Sequence, residues 1–144
     1  MITGELKSKI DKIWDAFWSG GIANPLEVIE QITFLLFIKR LDELHTAKEK
    51  QANILQKPIE NPIFNAEQQD LRWSRFKNEE PKQMFETVST KVFPFIKEFR
   101  GEQTTYSEHM KDARLTIPTA ALLARVVDLI DQVPMEGVSE FLCN

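Results

Sequence analysis

The stretch from Leu26 to Leu44 constrains this chain more than any other, because it is apolar on too many sides to be a surface helix. Leu26, Val28, Ile29, Ile32, the run Phe34 to Ile38, Leu41 and Leu44 occupy much of the circumference of one helix. Such a helix must be covered by several neighbours, which places it at the centre of a bundle. An amphipathic helix precedes it, in which Leu6, Ile10, Ile13, Trp14, Phe17 and Trp18 recur at three- and four-residue steps. Between the two, Ser19-Gly20-Gly21 supplies a left-handed helix stop. Asn24-Pro25 then supplies an N-cap and a proline at the first helical position, where no N–H is needed.

The remaining chain is also helical in pattern. Lys48-Glu49-Lys50 reads as a solvated helix end, and Pro58, Asn61, Pro62 and Asn65 mark an irregular connection. After Pro81, the residues Met84, Phe85, Val88, Val92, Phe95, Ile96 and Phe99 share one side, with Pro94 expected to kink or end their helix. Arg100-Gly101-Glu102 breaks the chain, and a short polar helical segment is expected around Tyr106 to Lys111. Leu122, Leu123, Val126, Val127, Ile130 and Val133 form a last amphipathic helix, with Pro118 in its first turn and Pro134 at its end. No stretch alternates apolar and polar residues in the manner of a strand. The reading is all-α: a single compact helical bundle of about four to six helices with a proline-containing irregular connection. Its core is expected to include Trp14, Phe17, Ile32, Leu36, Leu41, Val88, Leu123 and Val127.

Size and charge narrow the function classes. A chain of 144 residues is one domain by length and long enough to bury a core. The apolar run Phe34 to Ile38 falls far short of the ~20 residues of a membrane span. The N-terminal helix carries Lys7, Lys9, Asp11 and Lys12 in place of an apolar secretory segment. Cys143 is the single cysteine, which rules out an intrachain disulfide and a multi-cysteine metal site. A soluble, cytoplasmic protein is the expectation. The formal net charge of −4 argues against a stand-alone DNA-binding module, which is ordinarily basic. A local basic strip suffices, however, where a partner supplies most phosphate contacts.

Leu71-Arg72-Trp73-Ser74-Arg75-Phe76-Lys77 is such a strip, interleaving bases with aromatics. Arg72, Arg75 and Lys77 are candidates to touch phosphate while Trp73 or Phe76 stacks or packs on a partner. Lys111 and Arg114 are further candidates of the same kind. The competing reading is that Trp73 and Phe76 anchor a surface loop to the bundle, since aromatics in such a position are usually buried, and that the bases are merely solvated.

Asn61-Pro62-Ile63-Phe64 is close to the Asp/Asn-Pro-Pro-aromatic motif of amino-methyltransferases, but Ile63 replaces the second proline and no strand precedes it. It reads as a turn with Phe64 packed on the bundle. His45 and His109 stand alone at helical positions without partners at metal-ligand spacing. Ser74 and Ser107 have no neighbour to activate a nucleophile, and nothing supports a reactive role for Cys143. Asp128 and Asp131 read as part of a solvated face. No catalytic, cofactor-binding or metal constellation emerges.

A larger pattern runs through these residues. An early Leu6…Ile13-Trp14 helix is followed by Pro25-Leu26-Glu27-Val28-Ile29, leading into Leu35-Leu36-Phe37-Ile38-Lys39-Arg40-Leu41-Asp42. Leu71-Arg72-Trp73, Phe93-Pro94-Phe95-Ile96-Lys97, Met110-Lys111-Asp112-Ala113 and Leu122-Leu123…Val126-Val127-Asp128-Leu129-Ile130-Asp131 follow in order. In that order and spacing the chain resembles the N-terminal helical domain of the modification (M, HsdM-like) subunit of type I restriction-modification systems, over about residues 4 to 136.

The resemblance implies a non-catalytic domain, 1–136, of a DNA adenine-N6 methyltransferase, with a divergent tail over 137–144. That tail, Gly137 to Asn144, does not look like the family's continuation, and a truncated or frameshifted product or an altered tail is expected. The resemblance also implies that S-adenosylmethionine binds elsewhere in the complete subunit, which flips its target adenine out of the duplex. The implied partners are DNA and the specificity and restriction subunits, with no membrane. The alternative is a free-standing helical protein-interaction module with no link to nucleic acid.

Overall fold

The computed structural model describes residues 4–99 and 110–134. Every described element is helical. Helix α1 (Gly4–Ser19) ends at Gly21, whose φ of 95° is the left-handed conformation a helix stop demands. Helix α2 (Pro25–Leu55) starts as its sequence dictates: Asn24 Oδ1 accepts from the Leu26 N–H at 3.0 Å, and Pro25 occupies the first turn. At its far end Gln56 takes φ 55° and returns its N–H to Ala52 and Asn53. The helix therefore runs past Lys48-Glu49-Lys50, which is not a solvated end. Glu49 belongs to an ionic cluster described below.

After the irregular connection come a 3₁₀ turn (Gln69–Leu71), the short helix α3 (Trp73–Phe76) and a long helical passage. That passage is α4 (Pro81–Thr87), a π-helical turn (Val88–Val92) and α5 (Phe93–Glu98). Pro94 does not end it. The chain widens to π geometry one turn earlier, and the Phe93 N–H reaches back to the Val88 carbonyl, so the ring of Pro94 has room. The Ser89 and Thr90 hydroxyls donate to the Phe85 and Glu86 carbonyls at 2.7 and 2.6 Å across the same turn.

The expected helical segment around Tyr106 lies outside the described residues except for a 3₁₀ turn at Met110–Asp112. Helix α6 (Ala120–Asp131) begins after Pro118 and not around it. Thr119 is the N-cap, its hydroxyl oxygen accepting from the Leu122 N–H at 3.1 Å.

The core is one contiguous apolar cluster. Helix α6 packs against both α1 and α4. It runs antiparallel to α1, with Lys9 Nζ donating to the Gln132 carbonyl at 3.1 Å and Gly20 meeting Leu122 at the other end. A Cβ at Gly20 would stand 2.5 Å from Leu122 Cδ2, so a larger residue there would require the Leu122 side chain to shift. Phe17, Leu36, Leu41, Val88, Leu123 and Val127 are buried as expected. Trp14 and Ile32 are half-buried at the margin of the core, because their helical positions lie to the side of the apolar stripes. Trp18 is 41% exposed and stacks on Trp14 at 5.6 Å.

Candidate nucleic-acid interface

The basic-aromatic strip is built around Asp42 of α2. Arg72 precedes α3 and is only 8% exposed. Its Nε donates to Asp42 Oδ1, and its Nη2 donates to Thr46 Oγ1 and Glu49 Oε1 at 2.9 Å each. Nη1 donates to Gln69 Oε1 at 3.1 Å. The second Asp42 oxygen accepts from the Ser74 N–H at 2.9 Å, so one carboxylate holds the guanidinium and also an unpaired N–H at the start of α3. Burial pulls the Arg72 pKa down, but hydrogen bonds and charge from Glu49 and Asp42 outweigh it and hold the group above its ordinary value.

Trp73 is 3% exposed, and its Nε1–H donates to Asp131 Oδ1 at 2.8 Å. Lys77 Nζ donates to Asp131 Oδ2 at 3.2 Å. Asp131 is therefore not part of a solvated face. Burial raises its carboxyl, yet the Trp73 and Lys77 bonds prevail and hold it below the usual range. Beside it Lys39 of α2, 6% exposed, donates to the Ile130 and Val133 carbonyls at 3.1 and 2.9 Å. An ammonium at a helix C-terminus satisfies carbonyls that have no partner within the helix. Burial holds this lysine below its ordinary pKa.

These contacts turn the strip into a clasp fastening α2 to α6. The side chains of Arg72 and Trp73 are engaged inside it, and Lys77 is ion-paired at its edge. Arg75 faces outward, exposed on α3. Lys111 and Arg114 are likewise exposed, in the segment before α6. That segment is held by buried Gln31 of α2, whose Nε2 donates to the Arg114 carbonyl at 2.8 Å and whose Oε1 accepts from the Thr116 N–H at 3.0 Å. The exposed Arg75 and Arg114 are thus presented by elements whose backbones are held against the core.

Asn61 to Phe64 forms a turn, with φ 50° at Asn61 and Phe64 buried and stacked on Phe95 at 5.1 Å. The turn is anchored by a residue whose sequence neighbourhood suggested nothing. His45, 2% exposed, accepts from the Ile63 and Phe64 N–H groups through Nδ1, at 3.2 and 3.3 Å. Both bonds need a neutral ring with its proton on Nε2. Burial, then the nearby Arg72, holds His45 below its ordinary pKa of 6.5.

The unfolded chain therefore takes up this proton at higher pH than the folded one. Stability is intact above about pH 6.5 and falls as pH drops from there through the folded value. Melting temperatures measured from pH 7 to pH 5 should decline in the parent and decline less in His45→Gln, which has no proton to bind. Parallel declines would show that another group carries the acid sensitivity.

His109, Ser107 and Cys143 lie outside the described residues. Among the described residues no cluster of His, Cys, Asp or Glu is placed to hold a metal ion, and no helix is long and apolar enough to cross a membrane. The family model for the HsdM N-terminal domain matches residues 6–130, nearly the whole chain. No curated protein and no solved structure matches it.

Proposed function

Because the chain belongs to the HsdM N-terminal domain family, the region of type I restriction-modification methyltransferases preceding their catalytic part, we propose that it is a non-catalytic helical domain. It helps the complex engage DNA and assemble with the specificity subunit. The family match carries this reading. The exposed Arg75 and Arg114 on core-fixed elements support it. S-adenosylmethionine binding and adenine-N6 transfer then belong to the rest of the complete subunit, and the chain works in the cytoplasm beside DNA.

Phosphate contacts by a few exposed cations position a protein on a duplex without reading its sequence. Base recognition is then left to the specificity subunit. Calorimetric titration of purified specificity subunit into the chain tests the assembly half of the proposal. Saturable binding is expected, with no heat from S-adenosylmethionine alone. Absence of binding to the specificity subunit, with or without duplex, would contradict the proposal.

A further inference from the structure

Helix α2 is apolar around much of its circumference, yet the polar side chains of Gln31, Lys39, Asp42 and His45 are buried along it. Each bonds main-chain groups of another part of the chain. Lys39 secures the end of α6, and His45 secures the turn at Ile63 and Phe64. The other two hold backbone beside an exposed arginine. Asp42 accepts from the Ser74 N–H, next to Arg75, while Gln31 engages the Arg114 carbonyl and the Thr116 N–H. Neither Arg75 nor Arg114 is ion-paired to a described residue.

Gln31 is 1% exposed and shares its face with Val28 and Leu35, both fully buried, so its side chain has little freedom. Residues 114–119 belong to no helix, and the two Gln31 bonds stand in for the ladder that would otherwise fix them. Gln31 and Asp42 are eleven residues apart on α2, close to three full turns, so they point to the same side. The rise between them is about 16 Å, at about 1.5 Å per residue. That distance covers several phosphate steps of one duplex strand, at about 3.4 Å each.

Granted the reading that Arg75 and Arg114 meet phosphate, we infer that Gln31 is a positioning residue for the Arg114 contact. Its amide fixes the backbone on both sides of Leu115, so Arg114 is presented on a set backbone before any duplex arrives. Binding then orders only the arginine side chain and not the segment that carries it. Without the clamp the same arginine remains, on a backbone that must be ordered at the moment of contact. Gln31 is buried and touches no phosphate itself; it acts through Arg114.

Two measurements on the full chain with Gln31→Met test this. Amide hydrogen exchange should show that Thr116 loses its protection while the amides of α2 and α6 keep theirs. Fluorescence anisotropy with a labelled duplex at low salt should show binding weakened by roughly three- to tenfold, the share of one phosphate contact. In an Arg114→Ala background the same substitution should weaken binding no further. In an Arg75→Ala background it should weaken binding in full, because Asp42 and not Gln31 holds the backbone beside Arg75. A general loosening of the domain would act on both backgrounds alike.

Unchanged protection at Thr116 would overturn the clamp. Equal losses on the two backgrounds, or parent-like binding by Gln31→Met where Arg114→Ala binds more weakly, would overturn the positioning role and leave the phosphate contact standing. An Arg114→Ala protein that binds as the parent does would instead remove the phosphate contact, and the positioning role with it. Gln31→Asn repeats the cycle if Gln31→Met does not fold, since it keeps a buried amide that is too short to reach both groups.

Discussion

Leu36→Asp is expected to leave the chain unfolded at room temperature. Leu36 is 4% exposed on the inner face of α2, within the contiguous apolar cluster. Removing its side chain forfeits a few kcal/mol of burial and packing. An unpaired carboxylate in its place adds several kcal/mol more or must take up a proton to stay. Domains of this size are stable by only ~5–15 kcal/mol in total, so the sum is enough to abolish the folded state. Circular dichroism at 222 nm should show lost helicity and no cooperative melt. A cooperative melt like the parent's would mean that α2 is not the centre of the bundle. Ile54→Glu, on the same helix but 81% exposed, should melt as the parent does.

Arg72→Ala should cost about 3–5 kcal/mol, because it strands the Asp42 carboxylate in a buried site. The Arg72 and Asp42 side chains are 9% and 7% exposed, so solvent does little to screen the loss. Asp42→Ala should cost at least as much, since Asp42 also accepts from the Ser74 N–H. Glu49 is 39% exposed, and Glu49→Ala should cost only about 1 kcal/mol or less. Arg72→Lys should rescue little, because an ammonium cannot reproduce the planar fork that reaches Asp42, Thr46 and Glu49. Chemical denaturation of the four variants gives this order directly. An Arg72→Ala protein as stable as the parent would return Arg72 to the surface and to the list of phosphate contacts.

What could be read before folding was local. Asn24-Pro25, the positive φ at Gly21 and the apolar stripe of α6 depend on residues a few positions apart, and sequence pattern reports such relations directly. Arg72 and Asp42 are 30 residues apart, and Lys39 meets the end of α6 from more than 90 residues away. In a sequence, a lysine or an aspartate reads as solvent-facing because burying it unpaired is costly. Only the fold shows that the partner has been brought alongside. His45, Asp131 and Arg72 read as solvent-facing for that reason, whereas Trp73 and Phe76 are the buried anchors that one of the two readings of the strip expects. The excess apolar character of α2 is visible in the pattern, but which of its apolar residues stay exposed is not.

The most direct measurement of the functional account is duplex affinity as a function of salt, for the parent and for an Arg75→Ala, Arg114→Ala variant that leaves the clasp intact. Weak binding is expected, with a dissociation constant of roughly 10⁻⁴–10⁻⁶ M, falling steeply as salt rises and indifferent to duplex sequence. The variant should bind more weakly, with the slope of log affinity against log salt reduced by about 1–2. Equal binding by parent and variant, or an affinity that ignores salt, would contradict it.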